Sequence, residues 1–145
     1  MQNRTIRHII EDQELLTATA DMPVAEAARQ MRQRHVGAIV VVKAERLVGI
    51  FTERDALFRV VAAGLDPTST TIADVMTRNP ACLDPDQPFA AALHLMHEGQ
   101  FRHVPIVDNG KPVGMVSSRD ALGPELEDFM YSLILNEHAR SDLLA

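Results

Sequence analysis

Two short motifs combine a hydroxyl group with a carboxylate three residues later. They are Thr52-x-x-Asp55 and Ser117-x-x-Asp120, and each follows an apolar segment that contains a glycine. Where a strand gives way to a helix, free backbone N–H groups attract anions, phosphate especially. A carboxylate at the same end can accept hydrogen bonds from both hydroxyls of a ribose. The motifs therefore have the chemistry to hold a ribose phosphate.

The same motifs also match a helix-capping box, in which the side chains bond to the backbone instead of to a ligand. The box prefers Glu or Gln at its last position, so the aspartates argue only slightly against it, and both roles can coexist. An arginine precedes each aspartate, Arg54 in one motif and Arg119 in the other. These arginines could reach a phosphate or could pair with Glu53 or another carboxylate at the surface, and the surface pair is slightly favoured.

The composition excludes several classes of protein. The chain has 145 residues, a formal net charge of −6, no tryptophan and one cysteine. An acidic chain poor in aromatic residues is a weak candidate for binding DNA. A single cysteine excludes an internal disulfide and favours the cytoplasm. The sequence shows neither the apolar stretch of roughly 20 residues that a membrane helix needs nor a signal-peptide pattern, so we expect a cytoplasmic protein without membrane contact.

The two motifs are the ends of two copies of one unit. A shift of 65 positions places residues 21–57 over residues 86–122 without a gap and gives 12 identities in 37 positions. Unrelated sequences of average composition would give roughly two or three. A shift of one more residue also places residues 5–10 over residues 71–76. We expect repeat 1 to span residues 1–64, repeat 2 to span residues 65–122 with a connector at 65–71, and a helical extension to span residues 123–145.

Each copy has the pattern of a β-α-β-β-α unit. Asp21 and Asp86 are the predicted N-caps of helices whose core positions include Met31 and Met96. The predicted strands are 15–17, 38–42 and 47–52 in repeat 1, and 81–83, 104–107 and 113–117 in repeat 2, with hairpin turns at 44–45 and 108–110. A further helix should follow Thr52 with an apolar face and end at Gly64; its apolar residues are Leu57, Phe58, Val60 and Val61.

One cationic pair breaks the symmetry of the repeats. Arg102 and His103 stand where repeat 1 has Gly37 and Ala38. The pair could bind phosphate oxygens through charge-assisted hydrogen bonds, which the small residues cannot do. Alternatively, Arg102 is a solvated charge between a helix and a strand. If ligands bind, the two clefts should be unequal.

Other residues with reactive or metal-binding side chains have weaker patterns. His94 and His97 have the spacing of a metal pair on a helix but align with arginines of repeat 1, which favours a solvated face. Cys82 lies in a predicted strand and is expected to be a buried, inert thiol. The sequence lacks a Walker loop, a nucleophile elbow and a zinc-protease motif, so we predict no catalytic residues, no metal site and no enzyme activity.

The duplicated unit, its Gly-x-x-Ser/Thr-x-x-Asp ending and the strand Arg102-His103-Val104-Pro105-Ile106-Val107 resemble a tandem pair of cystathionine β-synthase (CBS) domains, the Bateman module. The resemblance covers residues 5–122. It implies a mixed α+β fold in which two repeats pack as a pseudo-two-fold pair. It also implies a stand-alone regulatory module that requires no cofactor. Such a module binds an adenosyl ligand between its repeats (AMP, ADP, ATP, S-adenosylmethionine or a dinucleotide) and signals to a partner protein.

The resemblance also assigns roles to individual positions. Asp55 and Asp120 would hold ribose, and Thr52 and Ser117 would contact phosphate or ribose. Residues near Ala18 and Leu83 would flank the base. The alternative is a ligand-free scaffold whose repeats build a dimer surface.

The C-terminal segment lies outside the repeat and has an apolar stripe at helical spacing, formed by Leu126, Phe129, Met130, Leu133 and Ile134. Contiguous exposed apolar surface of that size is unusual in a monomer. The resemblance adds that CBS pairs commonly form disc-like dimers through their helices. We therefore predict a homodimer with this helix at or beside the interface. The competing possibility is that the helix folds back on its own module.

Overall fold

The computed structural model describes residues 4–144. The first half of the chain forms helix α1 (Ile6–Ile10), strand β1 (Thr17–Thr19), helix α2 (Val24–Arg34), and strands β2 (Ala38–Lys43) and β3 (Arg46–Thr52). Helix α3 (Glu53–Asp55) follows and continues as a π-helix over Ala56–Val61. The second half forms α4 (Ile72–Val75), β4 (Thr77–Arg78), α5 (Phe89–Gly99), β5 (His103–Asp108), β6 (Lys111–Ser117), a 3₁₀ turn (Ser118–Asp120) and α6 (Gly123–Leu144). The predicted mixed architecture of two similar repeats and a C-terminal helix is confirmed.

Each repeat is built on an antiparallel hairpin. Strand β2 pairs with β3, and β5 pairs with β6. Both pairs have a register shift at the equivalent place, between Val41 and Val42 in β2 and between Ile106 and Val107 in β5. The turn residues Ala44, Glu45, Asn109 and Gly110 all have positive φ angles, which two-residue hairpin turns of this hand require. The predicted hairpins are therefore confirmed, with strands longer by one or two residues.

The two sheets differ in their number of strands. In repeat 1, β1 joins β2 in parallel and β4 joins β3, which gives a four-stranded sheet. In repeat 2 the predicted strand 81–83 is wrong, since Leu83 makes only an isolated bridge to Ile106. On the other edge, the Gln13 side chain accepts from the Met115 N–H (2.7 Å) and donates to its carbonyl (2.8 Å). This amide satisfies the backbone groups where a strand would otherwise pair.

The short helix in front of each repeat packs into the core of the other repeat. Ile6 and Ile10 of α1 are buried beside Phe89 in the core of repeat 2, and Ile72 of α4 is buried beside Phe51 in the core of repeat 1. Equivalent backbone hydrogen bonds fix both helices: they run from residue 6 to 87 and from residue 72 to 22. The two cores therefore depend on each other.

We call α1 and α4 the exchanged helices, because each packs on the other repeat. Their packing explains why the two predicted N-caps are wrong and why a glycine recurs in β3 and β6. Asp21 and Asp86 do not cap α2 and α5, because these helices begin after Pro23 and Pro88 without a side-chain cap. Carbonyls of the exchanged segments accept the first helical N–H groups instead, Thr70 for α2 and Arg4 for α5. A Cβ built on Gly49 would lie 2.5 Å from Met76 Sδ, and one on Gly114 would lie 2.8 Å from Ile10 Cβ. Glycine therefore lets each exchanged segment approach the strand.

The helix after Thr52 differs from its prediction. Of its apolar residues only Val60 is buried; Leu57, Phe58 and Val61 are 53%, 60% and 69% exposed. The segment is a π-helix after one turn of α-helix, which rotates the side chains away from the regular 3.6-residue stripe. An apolar surface on repeat 1 consequently remains uncovered by the described residues.

Helix α6 folds back on its own module through one aromatic residue. Phe129 packs edge-on against His94, with ring centroids 4.9 Å apart, and also lies 5.9 Å from His97. The prediction of a solvated histidine face is therefore wrong for His94, which is half-buried. Leu133 is half-buried as well, whereas six other large apolar residues of α6 are exposed: Leu126, Met130, Tyr131, Ile134, Leu135 and Leu143. Within residues 4–144, no helix combines the length and apolarity needed to cross a bilayer.

Candidate functional site

Both hydroxyl–carboxylate motifs form capping boxes. The Thr52 N–H donates to Asp55 Oδ2 (3.0 Å), and the Asp55 N–H donates to Thr52 Oγ1 (3.2 Å). The Ser117 N–H donates to Asp120 Oδ2 (2.7 Å). The capping hypothesis is thus correct for both motifs. The caps hold each hydroxyl and carboxylate in one orientation at the end of a hairpin strand, which is also the arrangement that a ligand site requires.

Cleft A, the larger of the two clefts that contain a motif, brings the first motif to the cationic pair of the other repeat. It has a volume of about 680 Å³ and is lined by Thr52, Arg54 and Asp55 from repeat 1 and by Arg102 and His103 from repeat 2. Pro80, Ala81 and Phe101 supply apolar surface in the same cleft. Its size lies within the range of small-molecule sites. The cleft therefore combines hydroxyl, carboxylate, guanidinium and apolar groups.

Cleft B is the pseudo-symmetric counterpart and is smaller and less basic. Its volume is about 360 Å³, and its lining includes Ser117, Arg119 and Asp120 from repeat 2 with Leu15 and Leu16 from the segment before β1. Ala38 stands at the position that His103 occupies in cleft A. The predicted inequality of the two clefts is thus present in their volumes and in their charged groups.

A third cavity of about 560 Å³ lies between the repeats, where Glu53 of repeat 1 meets Arg102, His103 and Arg119 of repeat 2. His103 lines this cavity and both clefts. Its position at the first residue of β5, paired with Ser117 of β6, places it at the centre of the module. Any ligand group that reaches the middle of the module therefore meets this imidazole.

Burial lowers the pKa of His103 below its ordinary value, since the protonated ring would lose hydration. Arg119 and Arg102 lower the pKa further, while Glu53 and Asp120 act in the opposite direction. His103 is therefore a neutral imidazole at neutral pH, and an anion placed beside it would favour protonation.

Two arginines in cleft A bond to protein backbone across element boundaries. Arg54 donates to the Gln100 carbonyl (3.1 Å) and thereby joins the repeats. Among the described residues, no ion pair connects Arg54 with Glu53. Arg59 lies 3.7 Å from Asp55 Oδ1 and donates to the carbonyls of Val75 and Met76. No motif of the sequence singled out Arg59. Its spacing of four residues from Asp55 on a helix is the signal that could have found it.

The positions expected beside a base are not in the clefts. Ala18 is 5% exposed in the core of repeat 1, and Leu83 packs against the core of repeat 2. The residues two positions earlier, Leu16 and Ala81, line cleft B and cleft A respectively. Cys82 is exposed and outside any strand, so its prediction as a buried thiol is wrong. Among the described residues, no cluster of three or more His, Cys, Asp or Glu side chains could hold a metal ion.

The sequence pattern of the CBS domain matches residues 6–62 and 72–124. The chain belongs to the CBS-domain family. The two matched segments are the two repeats, so this member carries a tandem CBS pair. The fold and the two clefts described above are those of this pair.

The CBS domain-containing protein CBSCBSPB3 of Arabidopsis thaliana is 42% identical over 93 residues, which are 64% of this chain and 16% of that protein. The chain spans 16 to 19% of the length of the first curated relatives it matches. The crystal structure of the CBS-domain protein NE2398 has a TM-score of 0.76 and 29% identity, and covers 88% of this chain and 98% of its own. The CBS pair of protein MJ0100, in complex with 5'-methylthioadenosine and S-adenosyl-L-methionine, has a TM-score of 0.74 and 26% identity and covers 82% and 93%.

Proposed function

We propose that the chain is a regulatory CBS pair that binds a phosphate-bearing adenosyl ligand, such as AMP, ADP or ATP, in cleft A and signals to a partner protein. The observation that carries the proposal is the meeting of Thr52 and Asp55 with Arg102 and His103 in one cleft. The carboxylate suits ribose hydroxyls, and the guanidinium suits phosphate oxygens. The apolar residues of the same cleft suit a purine base.

The MJ0100 pair supports the ligand class, because it binds two adenosyl compounds and its likeness covers most of this chain. Its ligands carry no phosphate group, whereas cleft A of this chain carries Arg102 beside the hydroxyl motif. We therefore favour a phosphorylated nucleotide over S-adenosylmethionine for cleft A. No cofactor is needed for this role.

A regulatory role follows from the location of the clefts between the repeats. A ligand that contacts both repeats stabilises one relative orientation over others, and only such a difference in affinity can shift a conformational equilibrium. Arg54 already joins the repeats at Gln100 beside cleft A. Occupancy of the cleft would therefore act on this inter-repeat contact.

Calorimetric titration tests the proposal. AMP, ADP, ATP and S-adenosylmethionine are titrated separately into the protein, with adenosine as the control without phosphate. We expect a dissociation constant in the micromolar range, about −8 kcal/mol, for at least one nucleotide, and weaker binding of adenosine. Absence of heat with every adenosyl compound at millimolar concentration would reject the proposal.

The second candidate is a ligand-free scaffold that forms a homodimer. The exposed apolar residues of the π-helix and of α6 favour it, since Phe58, Val61 and Met130 are each at least 60% exposed. Dimer formation is compatible with ligand binding as well. The titration above distinguishes the two candidates, and light scattering tests the dimer.

A further inference from the structure

One arginine holds the N-terminal segment against the end of repeat 2. Arg4 Nη2 donates to the Asp120 carbonyl (2.8 Å) and to Glu125 Oε1 (2.6 Å), and Arg4 Nε donates to Glu125 Oε2 (3.2 Å). The side chains of Arg4 and Glu125 are 21% and 16% exposed, against 53% and 73% for the surface pair of Arg7 and Asp86. A largely buried, bidentate arginine–carboxylate pair holds its two side chains in a more fixed geometry than an exposed pair does.

Glu125 extends this contact into the first turn of α6. Its Oε1 also accepts the Leu122 N–H (2.9 Å), and the Leu122 carbonyl accepts the Leu126 N–H (3.1 Å). The hydrogen bonds from Arg4 hold the pKa of Glu125 below its usual value, so the carboxylate remains ionised at neutral pH. The start of α6 is therefore fixed by the same group that Arg4 holds.

Asp120 connects this network to cleft B. Its carbonyl accepts from Arg4, while its Oδ2 accepts the Ser117 N–H (2.7 Å) at the cleft. A displacement of the carboxylate would therefore move the carbonyl that Arg4 holds. The path from cleft B to α6 runs through three residues: Asp120, Arg4 and Glu125.

Repeat 1 has no equivalent of this network. The aligned positions of Arg4 and Glu125 are Thr70 and Val60. There, Arg59 bonds instead to the carbonyls of Val75 and Met76 at the end of α4. The connection to a long C-terminal helix is thus specific to cleft B.

We propose that Arg4 is a positioning residue that couples the carboxylate of cleft B to the first turns of α6, so that a ribose-bearing ligand bound to Asp120 changes how α6 is presented. The ligand part rests on the proposed function and adds that a ribose-bearing ligand also occupies cleft B, which Asp120 lines. The Ser117 N–H bonds to Asp120 Oδ2, so a ribose hydroxyl that donates to the same carboxylate pulls it toward cleft B and away from this N–H. The resulting shift of the 3₁₀ turn reaches Glu125 through the guanidinium.

The coupling is measured first without ligand, by NMR hydrogen exchange at the amides of Leu122 and Leu126. Each rate is compared with that of Val41 in the core of repeat 1, which reports global unfolding. We expect Asp120→Ala and Arg4→Ala each to accelerate exchange at Leu126 by about 10-fold beyond the global change, as loss of one to two hydrogen bonds implies. The double variant should add little to either single one, because both break one network.

Three controls separate positioning from general destabilisation. Asp55→Ala removes the equivalent carboxylate of repeat 1 and should not accelerate hydrogen exchange at Leu126 beyond the global change. Arg7→Ala removes a neighbouring surface pair and should not do so either. Arg4→Lys keeps the positive charge but loses the planar guanidinium, and it should restore part of the protection of the Leu126 amide against exchange. If Arg4→Ala fails to fold, Glu125→Gln replaces it and should also accelerate exchange at Leu126. Additive effects in the double variant, or an equal effect of Asp55→Ala, would overturn the proposal.

The ligand arm uses AMP at a concentration high enough to fill cleft B as well as cleft A. In the wild type, AMP should change the exchange rate at Leu126, and in Arg4→Ala it should bind without this change. If AMP does not bind the wild type, the proposed function fails while the ligand-free measurements still decide the coupling. If AMP binds but leaves Leu126 unchanged in the wild type, or alters it equally in wild type and Arg4→Ala, the coupling through Arg4 is wrong and the proposed function stands.

Discussion

Thr52 and Asp55 are bonded to each other in both directions, N–H to carboxylate and N–H to hydroxyl, at 3.0 and 3.2 Å. Asp55 as a whole is only 8% exposed, yet it lines cleft A. Because this carboxylate both caps a helix and lines a cleft, its removal should reduce both the stability of the fold and the affinity for a ligand.

Asp55→Ala should therefore lower the free energy of unfolding by about 0.5–2 kcal/mol through loss of the cap. It should also weaken AMP by roughly 1–3 kcal/mol through loss of the ribose acceptor. Asp74→Ala is the matched control, since Asp74 completes a capping box with Thr71 outside the three cavities. Denaturant titration and calorimetry measure the two effects. If Asp55→Ala loses stability but keeps its affinity, then capping is the sole role of Asp55.

Arg102→Ala should weaken AMP more than adenosine. The guanidinium can make charge-assisted hydrogen bonds to phosphate, which are worth about 1.5–3 kcal/mol each, and adenosine offers no such partner. Calorimetry with both ligands measures the difference, with Arg78→Ala as a control outside the cavities. Equal losses for the two ligands would remove Arg102 from the phosphate site.

His103 should make the fold less stable as the pH falls. Its pKa is lowered in the folded state by burial, and by Arg119 and Arg102 against the opposing effects of Glu53 and Asp120. The unfolded chain, with a histidine pKa of about 6.5, then binds protons that the folded chain does not. The stability is thus fully present above that value and is lost as the pH falls below it.

Urea titrations between about pH 8 and pH 5 measure this dependence, which includes the titrating range of histidine. The wild type should lose more stability toward the acid end than His103→Gln does. In the same range, AMP should favour protonation of His103, so its affinity should rise on acidification more in the wild type than in the variant. Parallel stability curves for the two proteins would show that His103 does not titrate differently on folding.

The proposed dimer is best tested at residues that α6 leaves exposed. Phe129 packs on the protein's own α5, so a change there would confuse docking of the helix with dimerisation. Met130 and Ile134 are 61% and 50% exposed and lie four residues apart on the helix. The double variant Met130→Asp, Ile134→Asp should be monomeric by light scattering with unchanged circular dichroism.

Glu127→Lys serves as a control on the polar part of the same helix. A dimer that survives the α6 variant but dissociates on Leu57→Asp, Val61→Asp would place the interface at the π-helix instead. A monomeric wild type would reject the dimer.

Gly114→Ala should destabilise the protein by about 1–3 kcal/mol, since overpacking forces neighbours to shift. The added Cβ would lie 2.8 Å from three side-chain carbon atoms of Ile10. Gly123→Ala is the control, because a Cβ there meets nothing within 4 Å. Thermal denaturation compares the two variants. Equal melting temperatures for Gly114→Ala and the wild type would mean that α1 can move away from β6 without cost.

The repeat, the hairpins and the two hydroxyl–carboxylate motifs could be predicted because each depends on residues close in sequence. The meeting of Asp55 with Arg102 could not, since it depends on how two repeats face each other. The N-caps failed for a similar reason: Asp21 is near the start of α2, but Thr70, distant in the chain, supplies the acceptor for its first N–H. Arg4 and Glu125 were missed because neither belongs to a local motif.

The apolar patterns after Thr52 and in the C-terminal segment predicted two helices with apolar residues at helical spacing, but they did not predict which of these residues are buried. Leu57 and Val61 have the spacing of a core stripe, yet the π-helical geometry directs both to the surface. In α6, the spacing identified Phe129, which is half-buried, together with Met130, which is not. Whether an apolar residue is covered depends on the neighbouring element, which the local pattern does not contain.

The exchange of α1 and α4 has a consequence for synthesis of the chain on the ribosome. Ile6 and Ile10 emerge well before Phe89 and Val116, against which they pack. Long-range closure of this kind slows folding, and it leaves α1 without its partners until repeat 2 has been synthesised. Repeat 1, by contrast, is complete once α4 has emerged. The nascent chain should therefore acquire protease resistance in two steps, and α1 should become protected only in the second step, together with repeat 2.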